Sequence, residues 1–367
     1  MTSSDIIQYK VSGFNNPKYI QNQKKKILER IDRFKDGKLY FEIGGKFLYD
    51  AHAARVLPGF DPVTKVTILK ELHGFLDIFY CVKAEDIAND RQMRSDRESY
   101  TDYCSRAIKE LESTFDIKPK IVINLCDRIN HDQEVQGFEE SLSSQGYTVK
   151  RRYKIEGYPD STDAVLSDTG YGADDYVESN KNLILVTGAG SNSGKMSTCL
   201  GQIYLDKQHG LISGYAKYET FPIWILPLNH PINLAYEAAT ADIGDYNVID
   251  TYHMEAYGKN SVNYNRDVDA FKIILSMKDK LLDSTSFMNE YKSPTDMGIN
   301  FAGHAIENDE VVCIASLHEI RRRKEWYAQI IARGAGDQEW YRKCELLEDR
   351  ALKYINERGY NPDLALE

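Results

Sequence analysis

From about residue 18 to 155, short β-rich runs alternate with stretches whose apolar residues recur every three or four positions. That alternation is the pattern of parallel strands joined by crossover helices. The runs 39–43, 76–82, 120–125 and 148–154 are predicted strands. Between them Tyr103, Ala107, Ile108 and Leu111 share one helical face, and Phe138 and Leu142 do the same in the next stretch. Residues 156–182 break the pattern: they are rich in Gly, Asp, Ser and Tyr with little apolar periodicity, which places a domain boundary there. A second α/β pattern opens on the apolar strand 183–186, passes a glycine-rich turn and enters a helix whose Met196, Cys199, Leu200 and Ile203 lie on one face toward the core. After Cys313 the chain reads as helix, first around Leu317 and Ile331, then past Gly334 and Gly336 through Trp340, Cys344, Leu347, Ala351 and Tyr354.

The glycine-rich turn carries the strongest chemical signal. In Thr187-Gly188-Ala189-Gly190-Ser191-Asn192-Ser193-Gly194-Lys195, small residues let backbone N–H groups converge on phosphate oxygens. A helix N-terminus and the Lys195 ammonium add positive charge. The loop departs from G-x-x-x-x-G-K-[ST] twice. Gly188 and Gly194 enclose five residues instead of four, and Met196 stands where a magnesium-binding hydroxyl belongs. Ser197 or Thr198 is the substitute hydroxyl, with Asp250, at the end of the β-like run 246–249, as the acidic metal partner or else simply the cap of the next helix.

The five-residue spacing resembles the phosphate loop of dethiobiotin synthetase-like P-loop proteins, and Gly214-Tyr215-Ala216-Lys217 is similar to the second strand that carries a substrate-facing lysine in that group. A broader resemblance covers nearly the whole chain. Leu39-Tyr40-Phe41-Glu42-Ile43-Gly44-Gly45-Lys46, His52-Ala53-Ala54-Arg55-Val56-Leu57-Pro58-Gly59-Phe60, residues 213–222, AYEAATAD at 235–242, VNYNRD at 262–267 and SPTDMGIN at 293–300 resemble the bacterial family known as domain of unknown function 1846. That resemblance implies no particular reaction; it implies a further C-terminal domain in family members.

The expected architecture is two doubly wound α/β domains, Rossmann-like or P-loop-like with mostly parallel sheets. They comprise residues 1–160 and a nucleotide-binding unit at 161–313, followed by a helical segment at 314–367. Composition supports a packed core: the 367 residues are 42% hydrophobic and 28% charged. A net charge of −10 argues against binding to phosphate backbones, and the run Arg321-Arg322-Arg323-Lys324 reads as a solvated helix face between Glu319 and Glu325. The six cysteines are scattered without a C-x-x-C pair, so neither a disulfide framework nor a thiolate zinc site is suggested. With no signal-like N-terminus and no apolar stretch of membrane-spanning length, the cytoplasm is the expected compartment, with neither membrane nor nucleic acid as partner. Assembly into a homo-oligomer is left open.

Polar residues crowd the stretch 226–267. Lys217, His230 and Arg266 are candidate catalytic groups beside Lys195, and Glu237, next to small residues, is a candidate substrate contact. The N-terminal turn contributes Gly45, Lys46, His52 and Arg55 as candidates for a second, small anionic substrate. The resulting expectation is an ATP-dependent ligase or kinase using magnesium, with ATP or another nucleoside triphosphate on residues 187–195 and Ser197. The rival is a nucleotide-binding sensor without turnover.

Overall fold

The computed structural model describes residues 9–366 except 35–36, 45–46, 94–97, 130–131 and 191. The candidate residues Gly45, Lys46 and Ser191 therefore lie outside the described residues. The strands are β1 (Lys38–Ile43), β2 (Leu76–Lys83), β3 (Lys120–Cys126), β4 (Val149–Tyr153), β5 (Leu183–Gly188), β6 (Ser213–Tyr218), β7 (Asn247–Ile249), β8 (Val262–Tyr264) and β9 (Gly298–Ile299). Seven of them form one parallel sheet in the order β4-β3-β2-β5-β1-β6-β9, while β7 and β8 pair antiparallel apart from it.

There is one main sheet, not the two expected from the sequence pattern. β5, the strand that was to open a second domain, inserts between β1 and β2 and pairs with both. The physical reason lies in composition. Both faces of β1, β2, β5 and β6 are buried, so these strands need neighbours on either side and helices above and below. Alternation alone gives strands but not their spatial order. The sheet edges are blunted: β4 carries Lys150 and Arg151 and is only half-buried, and β9 has two residues.

The segment read as a boundary is packed instead. Val165, Tyr171 and Val177 are buried in the core. Asp174 and Asp175 accept from the backbone N–H groups of Tyr153 and Arg151 at 2.8 and 2.9 Å, so the polar residues that looked like a linker complete the edge strand. Gly170 is required there, because a Cβ would lie 2.2 Å from the Ala164 carbonyl.

Helices flank the sheet with ordinary caps: Asn15 accepts from Lys18 N–H ahead of the helix Asn16–Asp32, and Ser99 from Asp102 N–H ahead of Tyr100–Phe115. The C-terminal helices Asp309–Ala332 and Gln338–Glu357 pack on each other and on Pro231–Ala239. The basic run is not the solvated face expected from sequence. Arg321 and Lys324 pair with Glu348, and Arg322 and Arg323 with Glu319, which makes an ion-pair seam. Among the described residues no helix is long and apolar enough to cross a membrane.

Candidate functional site

All seven strands are parallel, so their carboxyl ends share one edge, where ligands of open α/β sheets bind. A cleft of about 1000 Å³ lies along it. It runs from Asn124 and Arg152 at the β3 and β4 ends, across the glycine loop after β5, to Lys217 and Glu219 at the β6 end.

The loop is a held structure. Gly194 caps the helix Lys195–Gln208 with φ of 84°, and a Cβ there would lie 2.7 Å from Asn124 Cγ. Gly188 is equally constrained, since a Cβ would meet the Cys81 carbonyl at 2.5 Å. Asn124 clamps loop to helix: its Nδ2 donates to the Ser193 carbonyl at 2.9 Å and its Oδ1 accepts from the Thr198 hydroxyl at 3.1 Å. Arg152, almost wholly buried and paired with Asp174 at 2.8 Å, donates to Asn124 at 3.2 Å and to Thr198 at 3.3 Å. Lys195 Nζ donates to the Gly190 carbonyl at 3.0 Å, bridging the mouth of the loop.

Gly188, Gly190, Asn192, Gly194, Lys195 and Ser197 line the cleft together, as do Lys217, Arg266 and His52. Thr187 and Ser193 are the buried members of the loop, Ser193 donating to the Gly190 carbonyl at 3.0 Å. Met196, expected on the core face, is half-buried: it packs against the core and also lines the cleft. The donors available for magnesium on this helix are poor. Met196 offers a thioether, Thr198 is fully buried under the loop, and the Ser197 hydroxyl lies 3.4 Å from both Arg152 and Tyr171.

Other candidates are placed elsewhere. Asp250 caps the helix Thr251–Tyr257 and accepts from Thr295, off the cleft. Glu237 accepts from Asn247 N–H at 3.0 Å and ties its helix to β7; burial raises its pKa. Arg55 is buried against Glu319 at 2.7 Å, so its role is in the seam between helices.

His230 is fully buried and gathers Asp309 and Cys313, with donor atoms all within 4.8 Å. The hydrogen bonds argue against a metal there. His230 Nδ1 accepts from Ile232 N–H at 3.2 Å, which assigns the ring proton to Nε2, and Nε2 then donates to Asp309 Oδ1 at 2.9 Å. A ring so bonded has no lone pair left for an ion, and burial pushes the Cys313 thiol up.

The β6 end holds a group that sequence reasoning missed, Glu219. It is 8% exposed, and its Oε1 lies 2.9 Å from Lys217 Nζ but outside hydrogen-bond geometry. Burial raises the Glu219 pKa to about 8, against the pull of Lys217 and with help from Asp267. Burial would depress Lys217, but Asp267 and Glu219 outweigh it and hold the ammonium's pKa well above its usual value. Lys217 also donates to the Tyr264 hydroxyl at 2.6 Å. Asn124, Arg152 and Glu219 stand at or just past strand ends, which was the one signal available for finding them.

The family model described as domain of unknown function DUF1846, N-terminal, matches residues 12–351. The chain belongs to this family. A UPF0371 protein of Streptococcus equi subsp. zooepidemicus is 44% identical over 311 residues, covering 85% of this chain and 61% of that protein. UPF0371 protein SUB1165 of Streptococcus uberis is 40% identical over 358 residues, 96% of this chain and 69% of its own length. UPF0371 protein SpyM50764 of Streptococcus pyogenes is 41% identical over the same span. The chain thus spans 61% to 69% of the length of these relatives.

Proposed function

We propose that this protein binds a nucleoside triphosphate, ATP in the first instance, on the loop after β5 and transfers its terminal phosphoryl group to a small molecule at the β6 end of the same cleft. The observation that carries this reading is the position of the loop. A rigidly clamped, glycine-rich turn opens a 14-residue helix at the carboxyl edge of a central strand, beside a cleft large enough for two ligands. Backbone N–H groups of the loop and the helix N-terminus would hold phosphate oxygens, and Lys195 would leave the Gly190 carbonyl for the terminal phosphate. Catalysis on this reading is positioning and charge neutralisation.

The test is thermal denaturation with Mg-ATP. At about 100 times its dissociation constant, ATP should stabilise the fold by roughly 2.7 kcal/mol. Lys195→Ala should lose most of that. A melting temperature indifferent to millimolar ATP, GTP and ADP would refute the proposal.

Met196 favours a second reading, nucleotide binding without turnover, because a thioether faces the cleft where a metal-binding hydroxyl is expected. Binding of ATP with no ADP produced from any acceptor would select it.

A further inference from the structure

The described cations at the β6 end of the cleft are already paired. Lys217 is bound by Asp267 and by Glu219 at 2.9 Å, Arg266 by Asp245 at 2.6 and 2.7 Å, Lys65 by Asp50 at 2.7 Å, and Arg323 by Glu319 at 3.1 Å. An anionic substrate would have to displace a carboxylate from one of these cations, whereas a neutral molecule with several hydroxyls could donate to the same carboxylates and leave the pairs intact.

The wall beside them is aromatic. Phe221 and Tyr236 lie 6.1 Å apart and within 19° of parallel, and Tyr264, tilted 44° from Tyr236 at 6.0 Å, carries the Lys217 ammonium over its ring. Phe221 and Tyr236 line the cleft beside these carboxylates, and rings next to carboxylates suit a polyol, whose C–H groups pack on apolar surface while its hydroxyls meet the acids.

Resting on the phosphoryl-transfer reading above, we infer that the acceptor is a neutral polyhydroxylated molecule and that Glu219 is the catalytic residue that takes the proton from its reacting hydroxyl. The hydroxyl oxygen bonds to the terminal phosphorus of the nucleoside triphosphate. The bond from that phosphorus to the β,γ-bridging oxygen breaks, and the nucleoside diphosphate leaves with the electron pair. The hydroxyl proton passes to the Glu219 carboxylate and from there to water.

Geometry places Glu219 for this. It lies one residue past β6, lines the cleft, and is more than nine-tenths buried, with its Oε1 ion-paired to Lys217 Nζ at 2.9 Å. β6 stands two strands from the phosphate loop, roughly 10 Å across the sheet. The groups facing the carboxyl are Lys217 and Glu42 from the sheet, Asp267 and Tyr264 from the helix after β8 and its cap, Tyr236 from the helix Pro231–Ala239, and Tyr19 from the first helix. With burial as the leading cause, they leave the base form scarce at neutral pH and growing toward about pH 8.

The experiment uses the whole chain with two readouts. Glycerol, inositol and glucose, and the carboxylates glycerate and gluconate, are tested for binding by calorimetry without nucleotide and for ADP release with Mg-ATP. The expected result is turnover of a neutral polyol, with kcat/KM rising to an inflection near about pH 8. Glu219→Gln should lower kcat by about 100-fold or more and abolish the inflection, while the ATP-induced thermal shift is unchanged. A merely structural role would move the thermal shift and leave the inflection. Turnover of the carboxylates but not the polyols, retained turnover and inflection in Glu219→Gln, or no binding and no turnover across the panel each overturns the inference. Should ATP fail to bind, the phosphoryl-transfer reading fails instead; polyol binding that is lost in Glu219→Gln would still uphold the acceptor site.

Discussion

At the scale of single residues, Glu219 and Gly194 make opposite demands on the fold. Glu219 is a carboxyl whose folded pKa, about 8, stands above the unfolded value of 4.5. Its favourable contribution is complete below about pH 4.5 and declines as pH rises toward about 8, because the unfolded chain ionises first. Glu219→Gln should therefore be more stable than the wild type at alkaline pH, by on the order of a few kcal/mol, with the gap closing toward pH 4.5. Thermal melts across that range measure it, and a gap of constant size would sink the assignment. Gly194 is held in the left-handed region against Asn124, so Gly194→Ala should cost about 1–3 kcal/mol and weaken ATP binding. Urea denaturation and titration with ATP report the two effects.

At the scale of elements, the phosphate loop depends on β3, β4 and the segment between β4 and β5. Asp174 holds Arg152, Arg152 holds Asn124, and Asn124 holds the loop backbone. Removing one partner of a buried pair leaves the other charge uncompensated. Asp174→Ala should thus destabilise by about 3–5 kcal/mol, measured by urea denaturation. It should also loosen the loop, seen as faster amide exchange at 192–194. A variant as stable as the wild type would show that the segment 156–182 is the passive linker its composition suggests.

At the scale of the whole molecule, Glu319 joins the N-terminal region to the C-terminal helices by accepting from His52, Arg55, Arg322 and Arg323. Burial alone would raise its pKa; the hydrogen bonds and charges of Arg322, His52 and Arg323 prevail and hold it well below the usual value of 4.5. A depressed carboxylate contributes stability above its unfolded pKa and loses it as pH falls through the folded one. Glu319→Gln should therefore cost several kcal/mol at neutral pH, and the deficit should shrink on acidification below about pH 4.5, followed by thermal melts. The same charge cluster buries Arg55, which the sequence alone offered as a substrate contact.

Local pattern was enough for the strands 39–43, 76–82, 120–125, 148–154 and 183–186, because period and propensity are properties of neighbouring residues. It was also enough for the glycine loop, where φ at Gly194 and the steric limits at Gly188 require the residue type written there. The sheet order was not legible, since β5 joins β1 and β2 through pairings far apart in sequence. Nor was the division of polar residues between cleft and interior. Lys217 and Arg266 reach the cleft, while His230, Glu237 and Asp250 cap helices or tie elements together. A side chain's chemistry is written in the sequence, but whether it faces ligand or core is decided by the helices and strands that pack around it, and only the tertiary structure fixes those.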